Sequence, residues 1–279
     1  MESRRGQGSI FIRGTTEGAR NWTALAPCCC AVCDPRNVDS STTGKRGVPA
    51  RREERCGCSM NRSSASQRER YNDEWNGWKS EATAFDGVRR YDQISSVVQL
   101  LAPRKVLDVG CGDGRLARAI RANCRDVVIH GCDLSTAALT RSEGLDRQYA
   151  VDLNCEALPE PGESFDLVIA SEVIEHLIMP GRILEELTRV VKQGGHVLLT
   201  VPNVAFWRFR FQALSGQVPS VTADDSHLHS FSASLLEHLV QKTGLHVVQL
   251  TGLRQRFNRL SQLHFTLLCD TLLIVGRKP

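Results

Sequence analysis

The stretch Lys105–Arg115, KVLDVGCGDGR, constrains the fold of this 279-residue chain more than any other. Val106, Leu107 and Val109 are typical of a buried parallel strand. Three glycines follow at alternate positions, and glycine tolerates positive φ and lets backbone amides approach a ligand with no Cβ between them. Apolar residues at helical spacing follow from Leu116. The stretch therefore predicts a strand, a ligand-binding loop and a helix whose free amides favour polar or anionic groups.

Acidic residues follow the next two predicted strands. Asp133 ends the strand Val127–Cys132 and lies 133 − 114 = 19 residues after the last loop glycine. An acid at that place in a nucleotide-binding α/β unit can accept hydrogen bonds from both hydroxyls of a ribose. The alternative is that Asp133 only caps a helix. Asp152 follows the third strand, Gln148–Val151, in the same way.

Strands and helices alternate along residues 71–279, which we expect to form one domain with ample core. The alternation predicts an α/β fold, a Rossmann-like doubly wound sheet that is mostly parallel. The further predicted strands are Phe165–Ala170, His196–Val201, Leu245–Leu250 and His264–Val275, and the predicted helices are Ser135–Arg141, Gly181–Val191 and Ser232–Gly244.

From about Tyr71 to the C-terminus, the glycine loop and the acids that follow it resemble those of class I S-adenosylmethionine-dependent methyltransferases. The resemblance implies S-adenosylmethionine as cofactor and a last strand antiparallel to the others. It also implies which residues contact the cofactor: Asp108, Gly110, Cys111, Gly112 and Gly114 at its methionine end, Asp133 with Leu134 at the ribose, Asp152 with Leu153 at the adenine, and Ser171 in the cleft.

The loop spacing argues against a nicotinamide cofactor. Gly110–Arg115 reads G-x-G-x-G, with the third glycine one residue too early for the dinucleotide fingerprint. Asp108 and Asp113 would repel a pyrophosphate but attract a cation. A sulfonium that also carries an ammonium group suits this field.

Two further segments resemble different subfamilies. Ser171–Leu177, SEVIEHL, resembles the ubiquinone-biosynthesis methyltransferases and, more distantly, the metal-dependent small-RNA 2′-O-methyltransferases. Val201–Leu214 with His227-Leu228-His229 resembles the methionine-biosynthesis MetW-type proteins. These resemblances imply methyl transfer to a small-molecule acceptor, with a hydroxyl favoured. The alternatives are a non-catalytic cofactor-binding protein that regulates a partner enzyme, and a metal-dependent RNA 2′-O-methyltransferase.

Glu172, Glu175 and His176 have i, i+3 and i+4 spacing, which predicts one helix face at the mouth of the cleft. His176 and Glu175 are our candidate catalytic residues, because a hydroxyl acceptor needs a base near the fourth strand's end. With His227 or His229 the three could instead hold Mg²⁺ or Mn²⁺, or they could simply form a solvated helix start. We assign no metal ligand from the sequence.

Residues 204–214 alternate aromatic and basic side chains, a pattern known from single-stranded nucleic-acid binding. Val204, Trp207, Phe211 and Leu214 also share one helical face, which predicts a helix that packs over the acceptor pocket. Residues 71–279 carry 22 Lys and Arg against 24 Asp and Glu, a net charge of −2. The domain therefore lacks the basic excess that a nucleic-acid partner requires.

Residues 1–70 have a different composition: 13 Lys and Arg against 7 Asp and Glu, and little apolar periodicity. We expect a disordered basic tail. Its cysteines include Cys30-x-x-Cys33 and Cys56-x-Cys58, but the second pair is too close for a usual zinc site and the tail holds no histidine. Met60 is an alternative start that would remove most of the tail.

The targeting signals are weak. The tail is rich in Arg and Ser but too acidic for a transit peptide, and the apolar stretch Ala24–Cys33 is short and broken by Pro27. No run approaches membrane-spanning length, so we expect no membrane partner. The scattered cysteines of the domain are typical of reduced, buried residues, which predicts a cytoplasmic protein.

Overall fold

The computed structural model of the chain describes residues 60–77, 84–223, 226–253 and 264–279, which are built around one seven-stranded sheet. The strand order is β3-β2-β1-β4-β5-β7-β6. The strands are β1 Lys105–Val109, β2 Val128–Asp133, β3 Arg147–Ala150, β4 Phe165–Ser171, β5 Val191–Pro202, β6 His246–Gly252 and β7 Thr271–Arg277. The helices are α1 Met60–Gly77, α2 Ala84–Leu101, α3 Arg115–Asn123, α4 Thr136–Leu139, α5 Pro180–Val190, α6 Trp207–Leu214, α7 Ala233–Lys242 and α8 Phe265–Leu268, with a 3₁₀ turn at Ile174–His176.

The strand directions confirm the predicted fold class. β1 pairs in parallel with β2 and β4, and the parallel pairing continues to β3 on one side and β5 on the other. β7 is inserted antiparallel between β5 and β6. The sheet is thus mostly parallel with an antiparallel last strand. Because β1 and β4 are neighbours and the chain order reverses there, their carboxyl ends border the crevice where such sheets bind ligands.

Both faces of the sheet are covered by helices, which explains why its central strands are apolar throughout. On β4, Val168 and Ala170 pack in a core with α5 and α7, and Leu167 and Ile169 pack in a second core with α2 and α3. α5 presents its apolar stripe, Ile183, Leu184, Leu187 and Val190, to the first core. All four residues are buried, which accounts for their helical spacing in the sequence.

The N-terminal part of the fold begins earlier than the predicted domain. α1 starts at Met60, so part of the predicted tail is helical, and the rest of that tail, residues 1–59, lies outside the described residues. α2 packs against α3, and Ser95 Oγ on α2 donates a hydrogen bond to the carbonyl of Ala119 on α3. No helix within the described part of the chain is long and apolar enough to cross a membrane.

Two C-terminal elements differ from their predictions. The predicted strand His264–Val275 divides into α8 and β7, because Asn203 Nδ2 donates to the carbonyls of Thr266 and Cys269 and fixes a turn between them. α6 forms, but the prediction that its apolar face packs over a pocket is wrong. Trp207, Phe211 and Leu214 are 50%, 67% and 87% exposed. The side-chain periodicity identified the helix but could not show that this face packs against no core of the described residues.

Candidate functional site

A cavity lies at the carboxyl ends of β1, β2 and β4. Its volume, counted out to its open mouth, is about 790 Å³. Six of the residues predicted to contact a cofactor line it, together with the candidate catalytic His176. The remaining walls come from α1, from the loop after Asp152 and from the segment after β4. The lining residues are Gln67, Tyr71, Trp75, Gly110, Gly112, Asp133, Leu134, Val151, Asp152, Leu153, Asn154, Glu172, Val173, His176 and Leu177.

The glycines of the loop divide into two roles. Gly110 and Gly112 line the cavity with φ of 72° and 52°, in the left-handed region that favours glycine. A Cβ on Gly112 would lie 2.9 Å from the Trp75 ring. Gly114 does not line the cavity, and a Cβ there would overlap the backbone carbonyl oxygen of Glu143. Gly114 thus allows two backbone segments to pack closely, whereas Gly110 and Gly112 line the cavity and pack against the side chains of Val173 and Trp75.

Asp133 ends β2 with its carboxylate already oriented by the backbone. Oδ2 accepts from the Gly112 amide at 2.9 Å and Oδ1 from the Ser135 amide at 2.8 Å. Burial raises the pKa of Asp133, while these amides and that of Leu134 act in the opposite direction. Each oxygen keeps a second lone pair for a ligand donor. The carboxylate that we predict to bind the ribose is therefore held in one orientation at the cavity wall.

Asp108 and Asp152 are both 2% exposed, and Oδ2 of each has no hydrogen-bond partner among the described residues. Asp152 lines the cavity, and its Oδ1 accepts from the Asn154 amide at 3.0 Å. Asp108 lies behind the glycine loop, where burial, followed by the charge of Asp133, raises its pKa to about 8. A buried carboxylate oxygen without a donor is costly. Both residues therefore suit a ligand that brings N–H donors or positive charge.

Cys111 and Ser171, the other predicted cofactor residues, do not line the cavity. Cys111 is buried between the glycines, and burial raises the pKa of its thiol. Ser171 Oγ lies 2.9 Å from Thr200 Oγ1 on the neighbouring strand β5. In this structure both side chains support the walls.

These observations fit the cofactor that the sequence resemblance implies. Gly110 and Gly112 bring the backbone to the cavity wall, Asp133 offers both carboxylate oxygens, and Asp152 offers an acceptor oxygen with no partner among the described residues. No Lys or Arg is among the described residues that line the cavity. The set accepts hydroxyl and amine donors and tolerates positive charge, as a sulfonium nucleoside requires.

The segment after β4 corrects one prediction. Glu172, Glu175 and His176 do not share a helix face, because only Ile174–His176 is helical and Glu172 has a left-handed φ of 56°. Two hydrogen bonds to Thr200 on β5 hold Glu172. The Glu172 N–H donates to the Thr200 carbonyl at 3.0 Å, and Thr200 Oγ1 donates to Glu172 Oε1 at 3.0 Å. Arg90 Nη1 on α2 lies 3.5 Å from Oε2. A positive φ at a non-glycine residue is strained, and such strain clusters at functional sites.

Glu175, His176 and the downstream His227 nevertheless converge. One ligand atom from each lies within 4.8 Å of the others. The Leu228 amide donates to the Glu175 carbonyl at 2.8 Å, which ties the downstream segment to the 3₁₀ turn, and His176 Nδ1 contacts the Ser226 carbonyl at 2.9 Å. His229 instead contacts the Ile178 carbonyl through Nε2.

Glu175 itself is 1% exposed, and neither carboxylate oxygen has a hydrogen-bond partner among the described residues. Burial, followed by the neighbouring charge of Glu172, raises its pKa well above the usual range. Oε1 lies 3.9 Å from His176 Nε2. The arrangement therefore places a histidine at the cavity with a buried carboxyl group behind it.

Sequence reasoning missed the residues that helices α1 and α2 bring to the site: Gln67, Tyr71 and Trp75 on α1, and Arg90 on α2. The i, i+4 and i+8 spacing of the first three on an otherwise polar helix was the available signal. The Arg90 guanidinium is 3.5 Å from a Glu that lies 82 residues later in the chain, so no local pattern marked it.

Comparison with known proteins supports the same assignment. A family model described as a methyltransferase domain matches residues 65–250. The chain is 30% identical over 165 residues to a ubiquinone biosynthesis O-methyltransferase of Burkholderia orbicola, covering 55% of this chain and 69% of that protein. It is 29% identical over 166 residues to the protein of that name in Acinetobacter baylyi, covering 55% and 68%.

Solved structures show the same fold at lower identity. A Thermotoga maritima S-adenosylmethionine-dependent methyltransferase superposes with a TM-score of 0.51 at 22% identity, covering 76% of this chain and 98% of that one. A structure from Haloferax volcanii, solved as a complex of the Trm112 methyltransferase activator and a methyltransferase, gives a TM-score of 0.52 at 19% identity, covering 75% and 97%.

Proposed function

Because this chain belongs to the family of class I S-adenosylmethionine-dependent methyltransferases, we propose that it transfers a methyl group to a hydroxyl of a small-molecule acceptor. The single observation that carries the proposal is the position of His176, which lines the cofactor cavity beside the buried Glu175. The similarity to relatives named O-methyltransferases supports a hydroxyl as the methylated atom.

The residues that would hold the cofactor follow from their contacts. Asp133 would accept hydrogen bonds from the ribose hydroxyls, since two backbone amides already fix its orientation. The unpartnered Oδ2 of Asp152 would accept from the adenine amine, with Leu153 and Leu134 against the rings. Asp108, behind Gly110 and Gly112, would attract the ammonium group of the methionine end.

S-adenosylmethionine supplies an activated methyl group on a sulfonium, so the protein's task is alignment and exclusion of water. The acceptor oxygen gains the methyl group as the sulfur–carbon bond breaks, and the hydroxyl proton must leave. His176 would accept that proton as general base. The buried Glu175 carboxyl group, whose Oε1 lies 3.9 Å from His176 Nε2, would stabilise the protonated imidazole once the carboxyl group is ionised.

Two consecutive measurements test the proposal. Calorimetry with S-adenosylmethionine and its demethylated product tests the cavity, and transfer of labelled methyl to panels of phenols, amines and thiols tests the acceptor. We expect binding of both nucleosides and labelled product from the hydroxyl panel. Binding without any product would favour the alternative of a non-catalytic protein that regulates a partner, and absence of binding would refute the cofactor site.

A metal-dependent version of the same reaction is the second candidate, because Glu175, His176 and His227 bring their ligand atoms within 4.8 Å. A divalent cation there would lower the pKa of an acceptor hydroxyl in place of a base. Full activity after exhaustive chelation, with no gain on adding Mg²⁺ or Mn²⁺, would rule this version out. The RNA 2′-O-methyltransferase alternative depends on it.

We place the working enzyme in the cytoplasm, and we take its catalytic domain to extend from α1 to β7, with the preceding residues as a separate tail. The buried thiols of Cys111 and Cys132 and the half-buried thiol of Cys124, which form no disulfide among the described residues, support a reducing compartment. Fractionation of cells that express the full chain would test the location.

A further inference from the structure

α1 is a polar helix whose inward side faces the cofactor cavity rather than a core. Gln67, Tyr71 and Trp75 follow one another at i, i+4 and i+8, and all three line the cavity. Asp73, Glu74 and Asn76 on the other sides are exposed. Most helices in proteins are stabilised by packing one face against a core. With a cavity in place of a core, much of the packing surface for α1 would come from whatever fills the cavity.

The first contact of α1 with the site is through Trp75. Its indole lies against Gly112, so closely that a Cβ there would be 2.9 Å away. Gly112 is the residue whose amide donates to Asp133 Oδ2. Trp75 therefore packs on the residue whose amide helps to orient the Asp133 carboxylate.

The second contact is through Asn72. Its Oδ1 accepts from Ser135 Oγ at 2.8 Å and from the Ala137 amide at 3.3 Å. Ser135 is fully buried, and its amide is the other donor to Asp133. Asn72 thus joins α1 to the start of α4 and to the segment that holds Asp133.

Two more hydrogen bonds complete the docking of α1. Arg141 Nη1 donates to the carbonyl of Trp75 at 2.6 Å. Asn154 Nδ2 donates to Gln67 Oε1 at 3.2 Å, and the Asn154 amide also donates to Asp152. The middle of the helix is therefore linked to a residue next to Asp152, and its C-terminal turn is linked to Arg141, which follows α4.

We propose that Asn72 and Arg141 are positioning residues for the methyl donor: they dock α1 so that Gln67, Tyr71 and Trp75 close the donor cavity, and bound donor in turn holds α1 in place. The inference rests on the donor site of the proposed function and not on the identity of the acceptor. Neither residue lines the cavity, so both act through the helix that they fix.

Reciprocity follows from thermodynamic linkage. If docking of α1 tightens donor binding, then donor binding stabilises docked α1 by the same factor. Undocking of α1 would therefore weaken donor binding. The Tyr71 ring also stands edge-on to His176, with centroids 6.4 Å apart, so undocking of the helix opens the catalytic side of the cavity as well.

Asn72→Ala and Asn76→Ala form a matched pair, because both remove an asparagine amide from the same helix and only Asn72 contacts the site. We expect Asn72→Ala to raise the Kd for S-adenosylhomocysteine about tenfold, since two hydrogen bonds are lost and Ser135 is left buried without its acceptor. We expect Asn76→Ala to leave the Kd within about twofold. Asn72→Asp keeps the accepting oxygen and should restore the wild-type Kd.

Hydrogen exchange on the unmodified chain provides a readout that a purely structural role would not change. Saturation with S-adenosylhomocysteine should slow amide exchange in residues 67–77 at least fivefold, with little change in α5. Two results would overturn the inference and leave the donor site standing. One is that the unmodified protein binds S-adenosylhomocysteine with unaltered amide exchange in residues 67–77, and the other is that Asn72→Ala and Asn76→Ala have equal Kd values. Absence of wild-type binding would instead refute the proposed function.

Discussion

Alanine substitutions at Gly114 and Gly112 separate a residue that supports the fold from one that supports binding. In Gly114→Ala the new Cβ meets backbone, overlapping the Glu143 carbonyl oxygen and lying 2.8 Å from the Glu143 amide nitrogen. Backbone cannot rotate away as a side chain can. A left-handed φ of 78° adds about 1–2 kcal/mol for a residue with a Cβ, and overpacking adds about 1–3 kcal/mol.

The expected loss of stability for Gly114→Ala is thus about 3 kcal/mol, which lowers Tm by about 6–12 °C in a domain of this size. Gly112→Ala has a comparable backbone cost, but its Cβ meets only the Trp75 side chain, which can shift. We expect it to lower Tm by about 2–8 °C, a loss of about 1–2 kcal/mol. Because its Cβ enters the cavity, its Kd for S-adenosylhomocysteine should rise at least tenfold.

Differential scanning calorimetry of the unliganded proteins and isothermal titration with S-adenosylhomocysteine measure the two effects separately. Gly181→Ala is the control, because nothing lies within 4 Å of its Cβ position and its φ is ordinary. A Gly114→Ala protein that melts within 2 °C of wild type would show that the Glu143 segment yields easily. Wild-type affinity in Gly112→Ala would show that the glycine loop does not contact the donor.

The other expected outcomes concern charge and chemistry. Asp133→Asn can accept from only one of the two amides at 2.8 and 2.9 Å, so its Kd for S-adenosylhomocysteine should rise about 10- to 100-fold, as for a charge-assisted bond of about 1.5–3 kcal/mol, whereas the exposed Asp126→Asn should bind normally. Because the pKa of Asp108 is raised to about 8, an arriving ammonium group should expel a proton at pH 7. Titrations in buffers of different ionisation enthalpy should then differ, and identical heats would contradict the assignment. The same raised pKa stabilises the unliganded fold fully below the unfolded pKa of about 4, with the contribution lost as pH rises through about 8, and urea titrations of Asp108→Asn should show a flatter pH dependence. His176→Ala should lower turnover of a hydroxyl acceptor about 100-fold or more with an unchanged donor Kd, and equal turnover would remove His176 as the base.

The sequence was sufficient for the parts of the fold that rest on local pattern. The glycine loop, the acid after β2 and the alternation of apolar strands and amphipathic helices each follow from neighbouring residues, and the sheet order agrees with them. The antiparallel last strand followed from family resemblance, because its apolar composition contains no information on direction.

The errors have a common physical cause, which is contact between distant segments. Helical spacing put Glu172, Glu175 and His176 on one face, but Thr200 on β5 holds Glu172 in a left-handed conformation outside the turn. The face of α6 was assigned to a pocket because its apolar spacing could not show that Phe211 would stay exposed. Local pattern likewise could not show the contact of Gly114 with Glu143, which spans 29 residues of sequence.

The position of β7 has a consequence for synthesis on the ribosome. The strand nearest the C-terminus, Thr271–Arg277, lies inside the sheet and bonds to both β5 and β6. Until it emerges from the exit tunnel, two earlier strands present unpaired edges, and β6 has no neighbour in the sheet. Cooperative folding of this sheet must therefore wait until β7 has been translated, and a nascent chain halted before Thr271 would expose unpaired edges of β5 and β6 to aggregation.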